Sequence, residues 1–232
     1  MEEGSFGEIR RRFEDLEIDG INKLGSDWLV YRTDAMGYVR PKTKEGEASF
    51  YNNFPDAEES IREDFLKRHE RGERVLVYDI CGIADASSLG ADHTACLAFK
   101  PPPEFDTKIQ TRTIFEGDIF RKDSLKPLFD FSSQYGSRPS CIFFVPVGGL
   151  SAVPMPNAMQ ASLLAKQFTR LYDNLAPGGQ MYLQIPPNLL FGMGATGVVK
   201  AGDVLREIVG STGSVEQQDE FSPMIRIRKK EG

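Results

Sequence analysis

Asp79 and Gly82 stand where an apolar run stops, in RVLVYDICGIADASSLG, residues 74–90. An acid that closes a buried strand, with a glycine just after it, is the layout of a turn on which nucleotide-type cofactors rest. Glycine-rich versions of that turn carry several glycines; here Gly82 stands alone among Ile80, Cys81, Ile83, Ala84 and Asp85. No G-x-G-x-x-G run, the mark of nicotinamide dinucleotide binding, follows the strand. Asp85, Ser87, Ser88 and Asp92 come next as a group of carboxyls and hydroxyls. As plain structure, Asp85 is the N-cap of a short helix of about two turns and Gly90 its end; as chemistry, Asp85 and the hydroxyls replace missing backbone contacts to a cofactor's carboxylate and amine. The thiols offer less. Cys81, Cys96 and Cys141 have no paired spacing and lie among apolar residues, which favours buried packing over nucleophilic work. His69 and His93 complete no multi-histidine metal set with them.

These residues need a scaffold, and the chain supplies one from residue 74 on. RVLVYDI, HTACLAF (93–99), TRTIFEGDIF (strand ending on Asp118), SCIFFVPV (140–147) and QMYLQIP (180–186) are apolar runs suited to strands buried on both faces of a parallel sheet. MQASLLAKQFTRLYDNL sets Leu163, Leu164, Phe168, Leu171 and Leu175 at helical spacing, and APGG breaks it. GDVLREIVGSTG is a further helix with Asp203 near its start; SVEQQDEF and PMIRIRKK form an antiparallel pair. Strand and crossover, repeated and then closed by a hairpin, predict an α/β fold: an open, mostly parallel seven-stranded sheet with a closing antiparallel hairpin and helices on both faces. Residues 1–70 predict an N-terminal α+β extension. It holds a helix over 6–17, strands WLVY and GYVR around DAMG, and a helix in FPDAEESIREDFLKRHERG with Ile61, Phe65 and Leu66 on its apolar face. Trp28, Leu29, Val30, Tyr31, Phe50, Tyr51 and Phe54 give this extension apolar surface, for the body of the protein or for a partner. The expected division is 1–70 as lid or substrate-recognition element and 71–232 as a Rossmann-like domain.

Composition narrows the partners. The 232 residues are 40% apolar and 27% charged, ordinary for a globular protein. A formal net charge of −6 argues against general binding to nucleic acid or anionic membranes. RRR at 10–12 and RIRKK near the end are basic and read as solvated faces. No apolar run reaches the roughly 20 residues of a membrane helix. The odd cysteine count, with no signal peptide, fits a reducing, cytoplasmic setting.

FTRLYDNLAPGGQMYLQIP, 168–186, resembles class I S-adenosylmethionine-dependent methyltransferases, in which a long helix ends in L-x-P-G-G and leads into the fifth strand. Pro177 cannot continue the helix, and Gly178 or Gly179 can take positive φ. VLVYDICG and EGDIF stand at the matching positions upstream, so the resemblance covers about 71–230. It implies S-adenosyl-L-methionine as cofactor, and a set of site residues. Asp79 would orient the loop and the cofactor's amino-acid end, with Cys81, Gly82, Ile83 and Asp85 forming the loop. Phe99 would close the second strand, and Asp118, with Ile119, would meet the adenine amino group. Val145 and Pro146 would lie at the end of the fourth strand, where the family places catalytic or substrate-contacting groups.

The sequence also departs from that family. Lys100 stands where the second strand usually ends on an acid, and Lys has donors only. Glu104 is the nearest substitute. Residues 145–149 carry no acid and no NPPY-like motif, unlike amino-methylating enzymes of adenine or glutamine. SAVPMPNAM is an apolar substrate wall or a surface connection, and Asp118 has the alternative of capping a helix at DSLKPLF. Two functions follow: a methyltransferase of unknown acceptor, or a catalytically silent methyltransferase-fold protein acting as a binding or interaction module.

Overall fold

The computed structural model describes residues 56–82, 86–98, 110–117, 119, 121–144, 158–185, 201–217 and 224–232. The apolar runs become β1 (Leu76–Ile80), β2 (His93–Ala98), β3 (Arg112–Glu116), β4 (Pro139–Phe144) and β5 (Gln180–Gln184), and the closing pair becomes β6 (Gly213–Gln217) and β7 (Met224–Lys229). They join in the order β3-β2-β1-β4-β5-β7-β6. The first five run parallel, while β7 is antiparallel to both β5 and β6. This is the open, mostly parallel seven-stranded sheet with a closing hairpin that the sequence predicts. Every residue of β1 and β4 is buried, which is why these runs show no polar alternation. The third strand stops at Glu116, before the Asp118 at which the sequence pattern would place its end.

Among the described residues four α-helices cover the sheet: α1 (Ala57–Glu70), α2 (Lys126–Tyr135), α3 (Ala158–Asn174) and α4 (Ala201–Val209). Alternate residues of β1 divide between the two faces. Leu76, Tyr78 and Ile80 meet Leu128 of α2, Leu164, Phe168 and Leu171 of α3, and Leu205 of α4. Val77 meets Ile61 and Phe65 of α1, with Phe143 and Tyr182 beside them. Each such aliphatic or aromatic side chain, once buried, contributes about 1.5–3 kcal/mol. Phe168 also meets Phe144 edge-on, with ring centroids 5.0 Å apart.

α1 differs from expectation in one position. Leu66 is 60% exposed, and the buried stripe runs Ala57, Ile61, Phe65, Arg68. Arg68 earns its burial through three partners. Nε donates to Asp64 at 2.8 Å, Nη1 to Glu73 at 3.1 Å, and Nη2 to the Pro177 carbonyl at 2.9 Å. It thus ties α1 to the corner after α3, where Gly178 takes φ +70°. The same corner is held by cations on the last carbonyls of α3. Lys229 Nζ donates to Tyr172, Asp173 and Leu175 at 2.9, 3.1 and 3.0 Å, and Arg138 donates to Asp173 and Asn174.

The basic run RIRKK is not simply a solvated face. Arg226 is 5% exposed, inside β7. It donates to Glu216 of β6, from Nε at 2.9 Å, and to Asp56 at the N-cap of α1, from Nη1 at 2.9 Å. The Arg226 hydrogen bond holds the Asp56 carboxyl below its usual range, and the two carboxylates favour the charged guanidinium. The segment after β1 is also shorter than expected. A single 3-10 turn, Ser87–Leu89, replaces the two-turn helix, with Ala86 at its N-cap and Gly90 ending it at φ +101°. The N-cap of α2 is Leu125, and Asp118, the expected cap, lies outside the described residues. The expected helix at 6–17, the WLVY and GYVR strands, the aromatic cluster before Asp56, and most of SAVPMPNAM lie outside the described residues. Among those described, no helix is long and apolar enough to cross a membrane.

Candidate functional site

β1 is flanked by β2 on one side and β4 on the other, and the chain leaves the two strands in opposite directions across the sheet. The turn Ala86–Leu89 after β1 lies on the α1 face, whereas α2, which leads into β4, lies on the other. The crevice beyond the carboxyl ends of β1 and β4 is therefore the topological switch point at which open α/β sheets bind ligands.

Asp79 sits there, 1% exposed, in register with Cys96 of β2 and Phe143 of β4. The chain then turns at Cys81, whose φ of 63° is the one positive value on a non-glycine among the described residues. Its N–H donates to the Leu97 carbonyl at 2.8 Å, which extends the β1–β2 ladder one residue past the strand. A left-handed conformation costs an ordinary residue roughly 1–2 kcal/mol, so Cys81 carries strain that a glycine would not. Gly82 is needed for a different reason. Its φ is ordinary, but a Cβ there would lie 1.9 and 2.1 Å from the two carboxyl oxygens of Asp79. The Asp79 carboxyl is folded back over the turn and fills the space where a side chain of residue 82 would be. Sequence reasoning picks Gly82 for close backbone approach to a ligand; the structure shows close approach to Asp79. The return into β2 is pinned by Thr94, whose Oγ1 accepts the Ala86 N–H at 2.9 Å.

The loop after β3 is the second half of the site. Gly117 donates to the Ala98 carbonyl at 2.9 Å and leaves no room for a Cβ, with Leu97 Cδ1 only 2.6 Å from where it would lie. Ile119 is 4% exposed, its side chain in the cluster with Leu125 and Leu128. Its carbonyl is held by Gln167 of α3, a residue the sequence pattern passes over. The signal was available: Gln167 is a polar residue at helical spacing within the stripe Leu164, Phe168, Leu171, Leu175. Of the residues named from the sequence, the structure places Asp79, Cys81 and Gly82 together in one turn, and Ile119 in the neighbouring loop. Ile83, Asp85, Phe99, Asp118, Val145 and Pro146 lie outside the described residues, as do Lys100 and Glu104.

No ion-binding cluster adds to this picture: among the described residues no three His, Cys, Asp or Glu side chains are grouped to hold a metal. A groove of about 860 Å³ opens near the starts of β1 and β4, lined by Arg68, Arg71, Arg74, Arg138 and Tyr135. Its arginines are engaged in structure. Arg71 pairs with Glu73, Arg74 lies over the Tyr135 ring, and Arg68 and Arg138 hold the end of α3.

No model of a known protein family and no curated protein matches the sequence. Solved structures with a similar chain path include the MycE methyltransferase of the mycinamycin biosynthetic pathway, in complex with Mg and SAH. It is 13% identical with a TM-score of 0.48, over 81% of this chain and 52% of that one. The present chain thus spans about half the length of MycE. A DUF574 family protein from Streptomyces avermitilis is 12% identical, with a TM-score of 0.39 over 78% of this chain and 87% of that one. The S-adenosylmethionine-dependent methyltransferase SibL, in its apo form, is 11% identical, with a TM-score of 0.37 over 99% of this chain and 76% of that one.

Proposed function

We propose that this chain is an S-adenosyl-L-methionine-dependent methyltransferase. The observation that carries the proposal is the end of β1, where Asp79 folds its carboxyl over Gly82 at the switch point of the sheet. An acid so placed is fixed in one orientation before any ligand arrives, as a preorganised binding group should be. Asp79 would hold the loop and receive the cofactor's amino-acid end, with Cys81, Gly82, Ile83 and Asp85 beside it. Phe99 would bound the ribose region, and Asp118 with Ile119 the adenine. Val145 and Pro146 would face the acceptor. When bound, the cofactor supplies a methyl group on a sulfonium that needs no further activation. The chain's own work is to align the acceptor and exclude water, so a general base is required only for an acceptor that must lose a proton. Residues 1–70 would act as lid or substrate-recognition element, anchored by α1 through Asp56 and Arg226. The setting in which these parts would work is cytoplasmic, with a small-molecule or protein acceptor.

One observation favours a second reading, a catalytically silent fold that binds a partner. The turn after β1 carries strain at Cys81, and among the described residues a single 3-10 turn, not a long helix, stands between β1 and β2. Calorimetric titration with S-adenosylmethionine and S-adenosylhomocysteine separates the two. The methyltransferase reading expects micromolar binding that Asp79→Ala weakens at least tenfold. No heat at millimolar ligand refutes it and leaves the silent fold.

A further inference from the structure

The side chain of Gln167 is 1% exposed on α3, and its amide is surrounded by the loop that follows β3. Nε2 lies 3.2 Å from the Ile119 carbonyl, 2.6 Å from the Arg121 carbonyl and 3.0 Å from Ser124 Oγ. An amide nitrogen has two protons, so three oxygens saturate it. The opposite end is fixed as well. Arg170 Nη1 donates to Gln167 Oε1 at 3.1 Å and to the Lys122 carbonyl at 2.5 Å, while its guanidinium lies over Phe129. Ser124 Oγ donates onward to Arg121 at 2.8 Å. The corner from Ile119 to Ser124 is therefore wrapped around one buried side chain from a helix more than forty residues away in sequence. On the other flank, Gly117 is fastened to Ala98. In the chain, Asp118 lies between these two fastened residues.

We propose that Gln167 is the positioning residue of the adenine-recognising corner: it fixes the backbone of Ile119 and Arg121, which follows Asp118 in the chain, and so sets selectivity for the adenine amino group. The assignment rests on the methyltransferase reading. Gln167 touches no ligand; it acts through the carbonyls of Ile119 and Arg121. An apolar isostere would take the Gln167 donor from the Ile119 carbonyl, leave the Arg121 carbonyl to Ser124 alone, and free the corner to move.

The test compares S-adenosylhomocysteine with its inosine analogue, whose 6-amino group is replaced by a carbonyl. An acid meeting the amino group gives the native protein a preference for the adenine form of about tenfold to a hundredfold, the usual range for a charge-assisted hydrogen bond. In Gln167→Leu that preference should fall below about threefold, with weaker binding of the adenine form. Hydrogen exchange on the ligand-free protein should show lost protection of the amides of Ser124 and Lys126, which bond within this corner. A purely structural Gln167 would lower both affinities together and keep the preference; that result overturns the proposal and leaves the methyltransferase reading standing. A native protein that binds both ligands equally overturns the adenine assignment of the corner, and one that binds neither overturns the methyltransferase reading together with this assignment. Should Gln167→Leu lack a cooperative unfolding transition, Gln167→Met takes its place. It keeps the length of the side chain and removes the Nε2 donor to Ile119 and Arg121, and an unchanged preference there overturns the proposal.

Discussion

Replacing Gly82 with alanine tests the central claim about the turn after β1. The new Cβ would stand 1.9, 2.1 and 2.2 Å from Oδ2, Oδ1 and Cγ of Asp79. Real side chains do not tolerate such distances, and the backbone φ is ordinary, so the penalty comes from collision and not from conformation. Relief requires Asp79 to swing its carboxyl out of a site where it is 1% exposed. Overpacking of this kind costs about 1–3 kcal/mol. Displacing a buried polar group from its partners costs about 1–3 kcal/mol more. Gly82→Ala should therefore destabilise the protein by about 2–6 kcal/mol in urea unfolding followed by circular dichroism. In an Asp79→Ala background the obstacle is gone, and the same substitution should cost less than about 1 kcal/mol. The coupling between the two positions is then about 1 kcal/mol or more. Equal costs in the two backgrounds would refute the account, because they would mean that something other than the Asp79 carboxyl requires a glycine at 82.

Three further outcomes follow from the same geometry. Cys81→Gly should leave the melting temperature unchanged or raise it, since relief of about 1–2 kcal/mol of left-handed strain offsets the flexibility of glycine, whereas Cys81→Val should lower it clearly in a thermal scan. Asp56 is held down by its hydrogen bond to Arg226, so the advantage of the native protein over Asp56→Asn should be present above the ordinary carboxyl value of 3.8 and be lost as pH falls below it, read from unfolding midpoints across an acid series. Tyr78 donates to the Leu128 carbonyl at 2.8 Å, and burial pushes its hydroxyl up to about 12. Its stabilising effect should be complete below pH 10 and be lost as pH climbs from 10 to about 12, and Tyr78→Phe should remove that alkaline component while costing about 1 kcal/mol near neutrality.

The strands were legible because burial on both faces leaves no polar alternation, and Val75 to Ile80 or Cys141 to Phe144 admit few other readings. The corner at Pro177 and Gly178 was legible because two residues with opposite backbone constraints stand side by side. Gly82 was found for an incomplete reason: a sequence shows that a glycine is present, not which neighbouring atom occupies its missing Cβ. Cys81 was the reverse case, since nothing in a cysteine announces a positive φ. Arg226 was misread because its partners, Asp56 and Glu216, are 170 and 10 residues distant, and only the sheet brings them together. Leu66 and Arg68 exchanged places on α1 for the same kind of reason. Amphipathic spacing favours the leucine, but Arg68 reaches Asp64, Glu73 and Pro177 from the buried side and so tolerates burial.

The place of β7 in the sheet has a consequence for how the protein is made. It enters between β5 and β6, and among the described strands β6 pairs with β7 alone. During synthesis, β5 emerges with an open edge and β6 emerges with nothing to pair with. Both wait for residues 224–229, which also bring Arg226 to Asp56 and Lys229 to the end of α3. Closure of the sheet, docking of the first helix and capping of the third are thus deferred to the same late event. A ribosome that stalls before that segment leaves a nascent chain with an apolar strand edge uncovered, the state in which chaperone capture or aggregation competes with folding.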